Sequence, residues 1–168
     1  TTDDSKKEDR GQALGMRAFA YLTLVQMYQH TYAGHENAPA VPIVLETTEP
    51  DVLSNNPRAS VKEVYDLIEK DLVQAHSDLS SYQRLNSTYI DQTVISGLLA
   101  RMYLLKEDWT NAAKYAKEAR AFYGAPADKA ELIDEGYIDM NKHHTWMFTS
   151  HITTDAEICL LYTSDAAD

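Results

Sequence analysis

The stretch from Gly97 to Ala119, GLLARMYLLKEDWTNAAKYAKEA, constrains the fold more than any other part of this chain. Ile95, Leu98, Leu99, Met102 and Tyr103 recur at helical spacing, and Ala112, Ala113, Ala116 and Ala119 do so after them. The two runs are almost continuous, and Asp108 stands where it would cap the second. So short a connection makes the helices antiparallel neighbours, and the alanine stripe lets their backbones approach closely. A single hairpin cannot cover both of its own faces, so further helices must lie against it.

Two more helices precede it. From about Ser5 to His30, Leu14, Ala18, Tyr21, Leu22, Val25 and Tyr28 form an apolar stripe. Ser5 and Glu8 fit a capping box there, beside Asp3 and Asp4 at the positive helix end. Gly11 and Gly15 weaken this helix by about 1 kcal/mol each relative to Ala, but permit close packing. A second capping box, Ser60 and Glu63, opens a helix whose inner face is Val61, Val64, Tyr65, Ile68, Leu72, Ala75 and Leu79. Lys62, Glu63, Asp66, Glu69 and Lys70 take its outer face. Between the two lies a long irregular connection, Thr31 to Ala59, punctuated by Gly34, Pro39, Pro42, Pro50 and Pro57, with Val41 to Leu45 extended. Such long connections are usually functional or pinned by neighbours. Ser80 to Tyr89 reads as loop; a short helix is expected around Asp128 to Asp134 and an extended segment over Thr145 to Ile152. The expected core joins Tyr65, Ile68, Leu72, Leu99, Tyr103 and Ala116 across four antiparallel helices.

The chain has 168 residues, enough for one ordinary domain that needs no disulfide or metal staple. Its formal net charge of −11, with no Lys/Arg cluster, argues against nucleic-acid binding. Its apolar runs are too short for a spanning helix, and its one cysteine excludes a disulfide framework and a thiolate zinc site. The last ten residues, Cys159 to Asp168, read CLLYTSDAAD, and one permitted back-translation resembles the end of a transposase-type sequencing adapter. We therefore expect residues 1–158 to be a helical domain fragment and residues 159–168 to be a non-native tail.

The hairpin positions Leu99-Ala100-x-x-Tyr103, Trp109, Ala112 and Ala119 match tetratricopeptide spacing, with Ala100 for glycine and Ala116 for the aromatic. Three segments in register go further: GQALGMRAFAYLTLVQMYQHTYAGHENAPAVPIV, NNPRASVKEVYDLIEKDL and the hairpin itself. In that order they resemble the SusD/RagB family of outer-membrane nutrient-binding lipoproteins, from about Gly11 to Ala121. The resemblance implies a mostly helical fold of tetratricopeptide-like hairpins with a long irregular proline-containing loop. It implies a cell-surface protein that is not an enzyme, capturing oligosaccharides or in some cases peptides over a SusC-like TonB-dependent transporter. The lipid-bearing cysteine of the family would lie upstream of Thr1, and Cys159 does not match it. The alternative is a tetratricopeptide-like adaptor that binds proteins.

Individual residues add little chemistry. The sequence has no G-x-S-x-G, H-E-x-x-H or P-loop, and its acidic pairs, Asp3-Asp4 and Glu107-Asp108, sit at helix starts. His30 with His35, and His143 and His144 with His151, lack a metal-ligand spacing on a regular element, so they read as surface or packing residues. No catalytic residue, metal ligand or cofactor is assigned. Tyr21, Tyr28, Tyr65, Tyr103 and Trp109 read as packing groups. Tyr32, Tyr82, Tyr89 and Trp146 fall in loops, where an aromatic face could meet the C–H face of a sugar, although local packing is favoured for each. The ligand-contacting residues stay unassigned.

Overall fold

The computed structural model describes residues 3–45, 55–123, 129–130 and 147–149. Among them are α1 (Asp3–Tyr28), α2 (Val61–Asp78), α3 (Gln92–Leu105) and α4 (Trp109–Tyr123), with no strand. Each helix packs mainly on the next: α1 lies along α2, α2 along α3 and α3 along α4. The mostly helical, tetratricopeptide-like architecture is thus present, with the long proline-containing connection between α1 and α2.

The second helix forms as its sequence dictates. Ser60 Oγ accepts from the Glu63 N–H at 3.2 Å, and the Glu63 carboxylate accepts from the Ser60 N–H at 2.8 Å. Val61, Val64, Tyr65, Ile68, Leu72, Ala75 and Leu79 are all buried. A fully buried apolar side chain of this size contributes about 1.5–3 kcal/mol, so this face dominates the core. Asp91 caps α3 by accepting from the Val94 N–H at 2.9 Å. Asp108 likewise accepts from the Asn111 N–H at 3.1 Å, after a turn in which Glu107 takes a φ of 60°. That turn reverses the chain within three residues, which makes α3 and α4 antiparallel.

Two ionic clasps and two glycines fix α1 on its neighbours. Arg10 reaches both oxygens of Asp78 at 2.7 Å, and Arg17 reaches those of Asp71 at 2.7 and 2.9 Å. The arginines and the aspartates are each seven positions apart, which sets an antiparallel register two turns long. Gly11 faces Leu79, and Gly15 faces Ile90 and Ile95, where side chains would hold the helices apart.

Several expectations are corrected. Helix α1 begins at Asp3, so Ser5 sits within its first turn instead of capping it; the acidic residues Asp3 and Asp4 favour that earlier start. Tyr28, placed on the core stripe, is 63% exposed and lines an open groove beside Pro42 and Val44. Trp109 and Ala116, placed in tetratricopeptide packing, are also exposed, Trp109 by 62%. They belong to the face of α4 turned away from α2, whereas Ala112 and Ala119 pack inward. Ala113 of the alanine stripe is exposed and Leu14 of the α1 stripe is half-buried, whereas Tyr65, Ile68, Leu72, Leu99 and Tyr103 of the expected core are buried.

The remaining expectations fall largely outside the described residues. Residues 129–130 are helical, but the rest of the segment from Asp128 to Asp134 lies outside. Of Thr145 to Ile152, only residues 147–149 are described, and they form no strand. Trp146, His143, His144, His151 and the tail from Cys159 to Asp168 also lie outside.

Candidate functional site

The connection after α1 folds back on the helix it leaves. Pro39 and Ser60 form an isolated antiparallel bridge, reinforced by Ala40 N–H to the Ala59 carbonyl at 2.6 Å and Ala59 N–H to the Val41 carbonyl at 3.1 Å. Side chains then fasten the rest. Arg58 donates to the carbonyls of Pro39 and Ala40 at 2.7 and 2.5 Å, and Asn56 to that of Ile43 at 2.7 Å. The Tyr21 hydroxyl accepts from the Val44 N–H at 2.8 Å and donates to the Val44 carbonyl at 3.3 Å. The segment from Pro39 to Val44 is therefore a rigid wall with no regular secondary structure.

Between this wall and α1 runs an open groove of about 750 Å³, lined by Tyr21, Leu24, Tyr28, Pro42, Val44 and Arg58 among others. Leu24, Tyr28 and Val44 are exposed, an apolar strip that folding alone leaves uncovered. Among the described residues no ring or cation contact covers the Tyr28 ring. A concave, mostly apolar, preformed surface with a few polar groups is the usual character of a small-molecule site.

The loop tyrosines fare differently. Tyr32 packs edge-on against Tyr65 at 4.9 Å, and the Lys106 ammonium stands 5.5 Å from its centroid, so both serve to pin the loop. Tyr82 packs against the core, and burial is the first cause that pushes its hydroxyl pKa up. Tyr89 is exposed but lines none of the grooves described here. Tyr28, read as core from its spacing, is the aromatic that the fold offers instead. The stripe that placed it inward was correct for α1 as far as Val25.

A second open groove, about 410 Å³, lies along α3 and α4 between Ala100, Arg101, Leu104, Trp109, Ala113 and Ala116. A third, of similar size, lies between α1 and α3, where Phe148 meets Phe19 edge-on at 6.1 Å. Residues 147–149 are held there by Thr149 N–H to the Ser87 carbonyl at 3.0 Å and by Arg84 to the Met147 carbonyl.

One polar cluster had no signal in the sequence. His76 Nε2 lies 3.2 Å from Ser96 Oγ and 2.6 Å from Glu118 Oε1, joining α2, α3 and α4. In a hydrolytic triad, carboxylate and serine engage opposite ring nitrogens. Here both face the same nitrogen, and Ser96 is fully buried with its hydroxyl also within 3.0 Å of the Gln92 carbonyl. The cluster ties helices together and offers no exposed nucleophile. Nearby, Tyr103 donates to Glu69 at 2.8 Å, and burial followed by that carboxylate raises its pKa far above the ordinary tyrosine value. Among the described residues, no three or more His, Cys, Asp or Glu side chains are grouped to hold a metal ion. None of the described helices is long and apolar enough to cross a membrane.

Comparison with known proteins gives these surfaces a context. A SusD-like family model, described as starch-binding associating with outer membrane, matches residues 1–104. A SusD-like carbohydrate-binding protein from Bacteroides vulgatus superposes with a TM-score of 0.80 at 27% identity, over 93% of this chain and 33% of its own. A SusD superfamily protein from Bacteroides fragilis gives 0.64 at 27% identity, over 79% of this chain and 31% of its own. Another, from Bacteroides thetaiotaomicron, shares the fold at 0.69 with 22% identity, over 80% of this chain and 29% of its own. The chain thus spans about a third of the length of these structures. No curated protein matches it.

Proposed function

The chain belongs to the SusD-like family, and from that membership we propose that it serves oligosaccharide capture at the outer membrane, without turnover, for a SusC-like TonB-dependent transporter. The observation that carries this reading is the superposition on the carbohydrate-binding relative, which extends over 93% of the chain. The Tyr28 groove is consistent with it, because a rigid wall and an uncovered aromatic ring suit a ligand with flat C–H faces. The protein is surface-exposed, and its transporter contact lies on residues still to be identified. A glycan-array screen tests the reading: binding to one class of glucan or heteroglycan is expected, and binding only to peptides would refute it. Co-purification of a TonB-dependent transporter from solubilised outer membranes tests the partnership, and recovery without any such transporter would count against it.

The groove beside Trp109 favours a second reading, a tetratricopeptide-like adaptor, since its lining is almost all carbon and helical in spacing. An adaptor would retain protein partners through this face and bind no glycan, so the same array separates the two.

A further inference from the structure

We propose that the groove between α1 and the wall from Pro39 to Val44 is a sugar-ring subsite, with the Tyr28 ring as its stacking platform. The inference rests on the oligosaccharide reading and adds to it a place and a mode of recognition. Three observations carry it. The Tyr28 ring is 63% exposed and uncovered, although it lies beside a wall that Tyr21, Asn56 and Arg58 hold in place. Such support by side chains fixes a recognition surface before a ligand arrives, which lowers the ordering cost of binding. The Tyr28 hydroxyl and the Arg58 N–H groups beyond those on Pro39 and Ala40 share the groove with the apolar strip of Leu24, Pro42 and Val44, while the Tyr21 hydroxyl is taken up by Val44. A pyranose matches that layout, with a C–H face for the strip and equatorial hydroxyls for its margin.

The wall also discriminates between ligand classes. A peptide added as a strand needs a row of free backbone donors and acceptors. Pro42 has no N–H, and the carbonyls of Pro39, Ala40, Val41, Ile43 and Val44 already accept hydrogen bonds. Recognition here runs through side-chain faces, which favours sugar over extended peptide.

The test combines calorimetry with methyl NMR, using maltoheptaose and laminarihexaose as probes. Tyr28→Ala should weaken binding of the probe that the parent takes by about tenfold or more, as for a buried aromatic anchor. Tyr28→Phe should retain most of it, and Trp109→Ala, on the other groove, should retain all of it. Leu24 and Val44 methyl resonances should shift on titration, and thermal midpoints should confirm that the exposed Tyr28 is not needed for folding. Full affinity in Tyr28→Ala, or shifts only at distant methyls, would overturn the subsite and leave glycan capture standing. No heat and no shift with either glucan would overturn the subsite for glucans, and failure across the glycan array would remove the oligosaccharide reading itself.

Discussion

Gly11 and Gly15 lie one turn apart on the same face of α1, yet alanine is expected to act oppositely at the two. In a helix interior, Gly→Ala gains about 1 kcal/mol of propensity. At Gly11 the added Cβ would stand 2.7 Å from Leu79 Cγ, 2.9 Å from Leu79 Cδ2 and 3.2 Å from Asp78 Cβ. Leu79 is fully buried, its Cγ is a branch point near the backbone, and Asp78 is held by Arg10, so the contact is relieved only by moving α2. Overpacking of this kind costs about 1–3 kcal/mol, which outweighs the propensity gain. Gly11→Ala should therefore lose about 1 kcal/mol, or about 2–4 °C in a chain of this length. At Gly15 the closest atom is Ile95 Cδ1 at 2.8 Å, the free end of a side chain that one torsion moves. Ile90, at 3.3 Å, borders the groove between α1 and α3, which leaves room to yield. Gly15→Ala should be neutral or slightly stabilising. Urea denaturation of the three proteins measures both differences at once. A Gly11→Ala protein at least as stable as its parent, or a larger loss at Gly15, would refute the close-packing argument.

Three further outcomes are expected. Asp71→Ala leaves Arg17 without its carboxylate where the aspartate side chain was only 2% exposed, so it should cost about 3 kcal/mol; a loss below about 0.5 kcal/mol would class the clasp with surface pairs. Arg10 holds the Asp78 carboxyl below its ordinary range, so the unfolded chain takes up that proton first as pH falls. The stabilisation is complete above about pH 4 and is lost as acid reaches the lowered folded value, so the gap in thermal midpoint between parent and Asp78→Asn should close on acidification; a gap that widens in acid would contradict it. Deleting residues 159–168 should leave the thermal midpoint unchanged or raised, and a loss of several kcal/mol would show that the tail belongs to the fold.

Where local chemistry settles a structure, the sequence was sufficient. The Ser60–Glu63 box and the Val61-to-Leu79 stripe define α2 completely, because cap and periodicity act within a few residues. The hairpin turn is equally local, with Asp108 accepting from Asn111 as its position suggests. The clasps were not legible, although both arginines and both aspartates recur at seven residues, because an ion pair spanning 54 or 68 positions has no local sign. The same holds for His76, Ser96 and Glu118, which meet only once three helices have packed. Tyr28, Trp109 and Ala116 show the other limit. Periodicity tells which face of a helix is apolar, but not whether another element lies over it.

That limit is also what makes the uncovered faces informative. Both carry a large aromatic on a helix, yet they differ in what surrounds it. Around Trp109 stand alanines, Leu104 and Arg101 from α3 and α4, a lining that is almost all carbon. Around Tyr28 the opposing side is an irregular segment whose carbonyls are held by Arg58, Asn56 and Ala59, with tyrosine hydroxyls and a guanidinium within reach. These groups are largely paired within the wall, so its relief is set by its own hydrogen bonds and leaves the Tyr28 ring bare beside it. A pyranose can stack on that ring with its hydroxyls turned to the Arg58 side of the groove. The two grooves therefore answer to different occupants, and the polar one is the better place for the ligand.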